Sequence, residues 1–397
     1  MHNGPNSISI KTDDLQEGRF SRFDLIKWWN QEKITNAKTL VVGCGALGNE
    51  ILKNLALLGF ENIIIVDIDT IEESNLSRSI LFRESDIGRS KAEIASEKTK
   101  EIYTQCHILP ITGNVMYEVG LGIFGWADVI IGALDNREAR LWINRAAWKM
   151  NRPWVDGAIE GINGVARVFM PGSPPCYECT LGETDWKILE KRMSCNLLTH
   201  EETKFGKTPT TPTISSIIAG IQVQEVLKIL HGLPTLAGKG YIFEGMNHTS
   251  YVITYTPQSE CYSHETYSNI KLFYGKSSST SLDDLYDFAK IELRENEITL
   301  EFSREIIYKL YCLRCKTETE IFQCVGSLSS KQGLCPECNK MREVITLHNY
   351  TGSESYGKKT VRDIGLPDYD VFVARSPSNE IQILIAGDQN NMFHKIQ

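Results

Sequence analysis

The first two-thirds of the chain alternate between short apolar runs and longer amphipathic stretches. The apolar runs have the length of buried strands and lie at 39–42, 62–66 and 128–131. The amphipathic stretches have helical spacing and lie at 47–58, 91–102 and 137–149. Strands that alternate with helices in this way predict a parallel sheet with helices on its faces. A long apolar helix is then predicted at 214–230, followed by strands near 240–244 and 251–255.

The pattern changes after about residue 267, where a polar, serine-rich segment predicts a domain boundary. The predicted organisation is an N-terminal helical segment (1–35), an α/β domain (36–267) and a C-terminal domain (268–397). The C-terminal domain is predicted to contain a helix at 281–293, a strand at 297–302, a cysteine-rich insertion at about 308–342 and short strands up to residue 386. Within the α/β domain, the polar segment 196–212 predicts an exposed loop.

The composition is that of a soluble protein long enough for two or three domains, with 397 residues, 42% hydrophobic and 23% charged. The net charge of −8 argues against general binding to nucleic acid or to an anionic membrane. Residues 1–12 lack the apolar region of a signal peptide, and polar residues interrupt the most apolar helix. We therefore expect a cytoplasmic protein, in which eleven cysteines indicate metal binding or catalysis rather than disulfides.

A glycine-rich turn, Gly43-Cys44-Gly45-Ala46-Leu47-Gly48, joins the first predicted strand to the first amphipathic helix. Glycines in that context let a ligand approach the backbone, and a helix N-terminus favours phosphate groups. Asp67 ends the next strand, where a carboxylate can bind ribose hydroxyls. Taken alone, the turn suggests a NAD or FAD enzyme, and the alternative is a tight turn that binds nothing.

Two sets of cysteine and histidine pairs have the spacing of zinc sites. The first set combines Cys176-x-x-Cys179 with Cys261-x-x-His264, and the second combines Cys312-x-x-Cys315 with Cys335-x-x-Cys338. Each set supplies four ligands and leaves no open position, so we predict two structural Zn²⁺ ions. The alternative for each set is a group of free thiols.

The segment that follows Asp67 carries Asp69, Asn75, Arg78 and Lys91, and a later strand is followed by Asp135-Asn136-Arg137. In these motifs the chain, over about residues 19–255, resembles the adenylation domain of the ubiquitin-activating enzyme superfamily, which includes the MoeB and ThiF adenylyltransferases. The resemblance implies a Rossmann-like ThiF/MoeB fold that uses ATP and Mg²⁺.

The resemblance also assigns roles to single residues. Arg78 and Lys91 match residues that contact phosphates, and Asp135 matches the carboxylate that holds Mg²⁺. Singly, the two cations are also compatible with surface charges, and Asp135 with a helix N-cap. The full set of implied cofactor-binding residues is Gly43, Gly45, Gly48, Asp67 (ribose), Asp69, Asn75, Arg78, Lys91, Asp135 and Asn136.

Near the N-terminus, Arg19-Phe20-Ser21-Arg22 resembles the R-x-x-R helix of the same family. In its homodimeric members the second arginine reaches the partner's ATP site. The resemblance therefore implies a symmetric homodimer in which Arg22 acts in trans. The alternative is an arginine on a helix surface.

Cys195 lies in the interval, about 180–212, where activating-enzyme subunits carry a cysteine that forms a thioester with the modifier. The resemblance implies this role for Cys195, although Asn196 replaces the threonine that follows the cysteine in many relatives. A structural or sulfur-handling thiol is the alternative. Cys44 and Cys106 are predicted to be packing residues.

The C-terminal domain resembles the ubiquitin-fold (β-grasp) domain of activating enzymes, with the second cysteine set as a zinc-ribbon insertion. Residues 358–366 resemble the family's helix before the last strands. The resemblance implies that the protein activates a ubiquitin-like protein with a free C-terminal glycine-type tail and passes it to a conjugating enzyme. The alternatives are an adenylyltransferase of the MoeB/ThiF type that activates a sulfur-carrier protein, and a non-catalytic partner subunit.

Overall fold

The computed structural model describes residues 18–192 and 209–387. The first sheet has eight strands, which are β1 (Lys38–Val42), β2 (Asn62–Asp67), β3 (His107–Thr112), β4 (Val129–Gly132), β5 (Trp154–Glu160), β6 (Asn163–Phe169), β7 (Lys239–Glu244) and β8 (Thr249–Thr254). Their order in the sheet is β3-β2-β1-β4-β5-β6-β7-β8. β1 to β5 run parallel, and β6 to β8 continue the sheet in antiparallel pairs.

Helices cover both faces of this sheet. They are α1 (Gln31–Asn36), α2 (Ala46–Leu58), α3 (Lys91–Ile102), α4 (Leu121–Trp126), α5 (Arg137–Lys149), α6 (Glu183–Arg192) and α7 (Pro212–His231). Because side chains alternate along a strand, Val41 joins an apolar cluster with α2, α3 and α7, whereas Leu40 and Val42 join another with α4 and α5. The sheet is therefore buried on both faces, as the alternating pattern predicts.

The strand order reverses at β1, which lies between β2 and β4. Val42 at the end of β1 pairs with Val66 on one side and with Gly132 on the other. The carboxyl ends of three parallel strands therefore meet at one edge, where the loops diverge and leave a crevice.

By length and composition alone, α7 is the one helix in the described ranges that could cross a membrane. Its contacts are those of a core helix. Ile218 and Val226 are completely buried, and Gln222 Nε2 donates to the carbonyl of Gly132 at 2.8 Å. α7 therefore lies across the sheet and contacts the strand that ends at the crevice.

A second sheet forms the C-terminal unit (residues 268–387). Its elements are β9 (Ile270–Phe273), α8 (Leu282–Leu293), β10 (Thr299–Tyr311), β11 (Glu318–Cys324), β12 (Glu343–Tyr350), β13 (Val371–Arg375) and β14 (Glu380–Ile385). The order is β11-β10-β13-β14-β9, and β12 also pairs with β10. β14 is parallel to β9, and α8 packs its buried side chains against the sheet.

Most predicted elements of the first sheet are present, and α3 and α5 have the predicted bounds. The pattern does not predict β3, β5 and β6. β5 and β6 carry glycines that α7 requires: a Cβ at Gly157 would lie 2.3 Å from Gln222 Oε1, and one at Gly164 would lie 2.4 Å from Ile218 Cγ1. Close helix packing therefore selects residues that break a strand pattern.

The tail departs from prediction at two places. The helix expected at 358–366 is wrong, since the segment forms turns. Thr360 and Asp363 bond each other's backbone N–H groups, and Gly365 at φ +84° ends the turn against the Phe322 carbonyl. The strand expected at 297–302 continues to Tyr311, so the predicted start of the cysteine-rich insertion lies inside β10.

Candidate functional site

A cleft of about 1230 Å³ opens at the carboxyl ends of β1, β2 and β4. The structure brings nearly all of the predicted nucleotide-binding residues to its walls: Gly43, Gly45, Asp67, Asp69, Asn75, Arg78, Lys91, Asp135 and Asn136. Gly48 lies beneath the turn. Their common location fits the prediction that they form one site.

The three glycines of the turn differ in how much space the protein leaves for a side chain. Gly43 has φ +98°, and a Cβ there would lie 2.4 Å from the Ala133 carbonyl oxygen. At Gly48 a Cβ would lie 2.0 Å from the Gly43 oxygen. At Gly45, the N-cap of α2, nothing lies within 4 Å of a Cβ. The protein itself requires glycine at the first two positions, whereas the open backbone at Gly45, at the N-terminus of α2, leaves space for an anionic ligand.

Asp67 organises the floor of the cleft from the end of β2. Its Oδ2 accepts from the backbone N–H of Cys44 at 2.6 Å, and its Oδ1 accepts from that of Asp69 at 2.8 Å. Burial raises the pKa of the Asp67 carboxyl, and the charge of Lys91 opposes this shift. Lys91, only 8% exposed, pairs with Asp69 at 2.8 Å. The ammonium group of Lys91 is therefore held in the cleft close to Asp67, whose carboxylate is suited to bind ribose hydroxyls.

Arg78 and Asn75 come from the segment after β2. Arg78 donates to the Ser74 carbonyl at 2.6 Å and is half-buried. Asn75 Oδ1 accepts from the backbone N–H of Glu72 at 2.9 Å, which closes the turn that carries both side chains. The guanidinium is therefore held at the cleft by local hydrogen bonds.

Asp135 is exposed in the cleft and makes no hydrogen bond or ion pair with any residue in the described ranges. The helix after it is capped by its neighbour, because Asn136 Oδ1 accepts from the Ala139 N–H at 2.7 Å. A capping role for Asp135 is therefore excluded. A free carboxylate in this position has the chemistry of an Mg²⁺ ligand.

A buried ion cluster under the cleft is not foreseen in the sequence. Asp156, completely buried on β5, accepts from Arg140 Nε at 3.0 Å and from Arg167 Nε at 2.9 Å. Arg140 also donates to the carbonyl of Leu134, next to Asp135. Two cations share one anion, so the floor keeps a positive charge that favours an anionic substrate.

Asn49 ties the glycine turn to the segment of Arg78. This fully buried side chain on α2 donates to the carbonyls of Cys44 at 2.7 Å and Gly45 at 3.1 Å. Its Oδ1 accepts from the N–H of Leu81 at 2.9 Å. One amide therefore fixes the distance between two parts of the site.

Cys195 lies outside the described residues. The chain on either side of it reaches the cleft, since Asp185 of α6 and Thr210 both line it. Arg22 lies at the surface, before a 3₁₀ turn (Phe23–Leu25), and is not part of the cleft of its own chain. The predicted catalytic roles of both residues stay predictions.

The first set of metal-binding residues converges as predicted. The ligand atoms of Cys176, Cys179, Cys261 and His264 all lie within 4.8 Å of one another. Tetrahedral Zn²⁺ with Zn–S bonds of about 2.3 Å requires sulfurs about 3.8 Å apart. The Cys176 Sγ lies 3.8 Å from that of Cys179 and 3.5 Å from that of Cys261.

His264 also fits as a ligand. Its Nε2 lies 3.4 Å from Cys179 Sγ, and its ring stacks on Trp148 at 4.5 Å. Burial lowers the pKa of the imidazole, which favours the neutral, metal-binding form. Glu178 joins the two ligand-bearing turns, because its carboxylate, next to Cys179, accepts from Ser263, next to His264. The same carboxylate also accepts from Arg145. These four residues could hold Zn²⁺.

In the second set, each Cys-x-x-Cys pair forms a tight turn, or knuckle, and the two knuckles have the same backbone hydrogen bond. Lys316 N–H donates to the Cys312 carbonyl, and Asn339 N–H donates to that of Cys335, each with the donor residue at a positive φ. Cys312 Sγ lies 3.6 Å from Cys338 Sγ, and Cys315 Sγ lies 4.0 Å from Cys335 Sγ. All four ligand atoms lie within 4.8 Å of one another, so this set also fits Zn²⁺.

A doubly covered sheet with a glycine turn at its switch point, and with Arg78 and Lys91 in the adjoining cleft, defines a Rossmann-like domain. Comparison with known families makes this specific. The profile of the ThiF family matches residues 18–263, which is more than half of the chain. The protein belongs to the ThiF family.

Its relatives include subunits of activating enzymes. The chain is 40% identical over 150 residues to SUMO-activating enzyme subunit uba-2 of Caenorhabditis elegans, which is 37% of this chain and 26% of that protein. It is 41% identical over 165 residues to the NEDD8-activating enzyme E1 catalytic subunit of the same organism, or 38% of each chain. The matches thus span well under half of these relatives.

Solved structures agree on the fold. The crystal structure of E. coli MccB with AMPCPP and MccA superposes with a TM-score of 0.52 and 22% identity, over 64% of this chain and 75% of that one. At that identity the likeness concerns the fold alone.

Proposed function

We propose that this protein activates a ubiquitin-like protein: it uses ATP to adenylate the C-terminal carboxylate, forms a thioester on Cys195 and passes the modifier to a conjugating enzyme. The observation that carries the proposal is one cleft that contains Arg78, Lys91, the open Gly45 backbone and Asp135, whose carboxylate has no partner among the residues that the structure describes. The relatives that are named for SUMO and NEDD8 activation favour this function over sulfur-carrier activation.

In the first step a carboxylate oxygen of the modifier attacks the α-phosphorus of ATP. The bond from that phosphorus to the bridging oxygen breaks, and pyrophosphate leaves. Arg78 and Lys91 would stabilise the negative charge that develops on the phosphates, and Asp67 would hold the ribose. Asp135 would hold Mg²⁺, which screens phosphate charge when bound.

In the second step the Cys195 thiolate attacks the acyl carbon, the bond to the phosphate oxygen breaks and AMP leaves. The positions of Asp185, near the start of α6, and of Thr210, just before α7, support this step, since both line the cleft. The two predicted Zn²⁺ ions would be structural.

The C-terminal unit would act as the ubiquitin-fold domain that recruits the conjugating enzyme. The parallel pair of its first and last strands and its single helix support a β-grasp. We further propose that the protein is a homodimer of the cytoplasm, where reducing conditions keep a catalytic thiol and zinc thiolates intact.

The test uses the full chain with Mg²⁺, ATP and ubiquitin-like proteins that end in glycine, SUMO and NEDD8 among them. Binding of AMPCPP is measured first by calorimetry. We then expect ATP–pyrophosphate exchange and an adduct that dithiothreitol releases. The adduct should be lost in Cys195→Ala and kept in Cys324→Ala, a matched control whose thiol is buried in the C-terminal unit.

Each failure has a distinct meaning. A chain that binds no AMPCPP overturns the proposal as a whole. Exchange without any adduct overturns the thioester step and supports the sulfur-carrier alternative.

A further inference from the structure

One buried ion pair of the C-terminal unit carries the contact with the nucleotide domain. Arg304 on β10 is 7% exposed and Asp370, just before β13, is completely buried. They pair with each other, and Ser303 donates to the same carboxylate. Arg304 also donates to Ser303 Oγ at 2.9 Å, and further hydrogen bonds of the pair cross to the nucleotide domain. Arg304 donates to the carbonyls of Met116 at 2.7 Å and of Val119, and Asp370 accepts from the Leu121 N–H at 3.1 Å.

The two units also pack closely against each other around this pair. The guanidinium of Arg304 stacks 4.6 Å from the ring centre of Trp142 on α5. A Cβ at Gly120 would lie 2.3 Å from the Asp368 carbonyl oxygen. Val371 and Val373 share one buried apolar cluster with the side chains of α4 and β1. We call this contact the seam.

The seam reaches the nucleotide cleft through a short stretch of chain. Residues 113–116, which follow β3, line the cleft, and we call them the cleft wall. The Gly113 N–H donates to the carbonyl of Asp67 at 3.1 Å, so the wall lies beside the candidate ribose ligand. At its other end the wall stops at Met116, whose carbonyl accepts from Arg304. One side chain of the C-terminal unit thus fixes one end of a wall of the cleft.

We propose that Arg304 is a positioning residue for the nucleotide site. By holding the carbonyls of Met116 and Val119, it sets the cleft wall against the adenosine side of ATP. The C-terminal unit is then a fixed part of the nucleotide site as well as a docking module. The inference rests on the proposed function for the identity of the nucleotide.

The test compares the double variant Arg304→Met/Asp370→Asn, which removes the donors without leaving a buried charge unpaired, with Arg304→Lys. The matched control is Arg375→Met, an exposed arginine that pairs with Glu301 across the same two strands. Calorimetry gives the Kd for AMPCPP, and ATP–pyrophosphate exchange gives KM and kcat. We expect Kd and KM to rise about tenfold in the double variant with kcat within about twofold. Arg304→Lys should lie between, and the control should match the wild type.

A second measurement avoids the folding of variants. Hydrogen exchange of the wild-type chain with and without AMPCPP should show added protection at residues 113–121 and also at 303–304 and 369–371. A wild type that binds AMPCPP while these seam amides do not respond overturns the inference, as does a folded double variant with an unchanged Kd. A wild type without AMPCPP binding overturns the proposed function itself.

Discussion

Gly43 and Gly45 lie two residues apart in one turn, yet an alanine is expected to have different effects at the two positions. Gly43→Ala would meet the Ala133 carbonyl and a left-handed φ, so we expect it to destabilise the chain by more than about 2 kcal/mol. Gly45→Ala meets no protein atom within 4 Å and should cost no more than about 1 kcal/mol as a changed N-cap. We expect Gly45→Ala to weaken AMPCPP binding at least about tenfold while the protein stays folded.

Thermal unfolding and calorimetry on both variants decide the matter. If Gly45→Ala bound AMPCPP like the wild type, the open backbone at Gly45 would not face the phosphates.

If Asp67 binds the ribose as proposed, we expect nucleotide binding to depend on pH. Because burial raises the pKa of its carboxyl, the ionised form that accepts from ribose hydroxyls is lost sooner as the pH falls. We expect the affinity for adenosine, which has no phosphate to titrate, to fall as the pH is lowered, starting at a higher pH than an ordinary aspartate would give. Asp67→Asn should bind more weakly at high pH and show little of this dependence.

The control is Asp363→Asn, an exposed carboxylate of the C-terminal unit. A pH profile that stays the same in Asp67→Asn would contradict the assignment of Asp67 to the ribose.

At this scale the sequence predicts the location of Asp67 and Asp135, because residues that follow parallel strands meet at one edge, whereas the family resemblance assigns Lys91 to the same site. It does not predict the partners that hold the site in shape. Asp156 contacts both Arg140 and Arg167 only because β5 pairs with β6. Asn49 accepts from the N–H of Leu81 only because the chain after β2 turns back toward α2. Such contacts depend on tertiary packing and have no local pattern.

The success of prediction for whole elements depends on their local signals. α3 and α5 have the predicted bounds because Ser90 and Asn136 cap amphipathic stretches, so that local preference and burial agree. The helix predicted at 358–366 is wrong because Gly365 and the bonds of Thr360 with Asp363 favour turns. β5 and β6 are missed because α7 crosses them at glycines.

The four cysteines of the second set lie at the end of the long hairpins of β10, β11 and β12, where Zn²⁺ would supplement the small apolar cluster of Ile307, Leu310 and Leu328. We expect Cys312→Ser to reduce bound zinc from about two ions per chain to about one and to lower the melting temperature by at least about 5 °C. Cys324→Ser is the matched control, because Cys324 is buried in the same sheet but donates to the Gly365 carbonyl instead. Zinc content by mass spectrometry and a thermal melt give the result. Two ions retained by Cys312→Ser would argue against a metal site in the knuckles.

For the whole molecule, the proposed homodimer, in which Arg22 would act in trans, makes a quantitative prediction. Arg22→Ala and Asp135→Ala should each abolish exchange. In an equal mixture that has exchanged subunits, half of the dimers are mixed and each has one intact site. Activity should therefore return to about one quarter of the wild-type level.

Light scattering shows whether the chain is a dimer before the mixture is assayed. A mixture that stays inactive, although subunits have exchanged, would contradict a contribution of Arg22 across the dimer.

The relation between the two sheets could not be predicted from the sequence. The serine-rich segment near residue 270 predicts a boundary, and the structure places a new sheet there. Nothing local indicates that Arg304 would bond to a loop almost 190 positions earlier. A change in amino-acid composition along the chain can therefore mark a new sheet even where the two sheets share buried contacts.

The close contact at Gly120 is expected to restrict which residues can occupy this position in related proteins. Because the Asp368 carbonyl occupies the space of its Cβ, the two positions are expected to change together among descendants of a common ancestor. Relatives with alanine or larger at 120 should carry a shortened or rebuilt turn at 368–370, and chains that lack the C-terminal unit should show no such restriction. An alignment of homologues would reveal the seam as a pair of covarying sites on opposite sides of a compositional boundary.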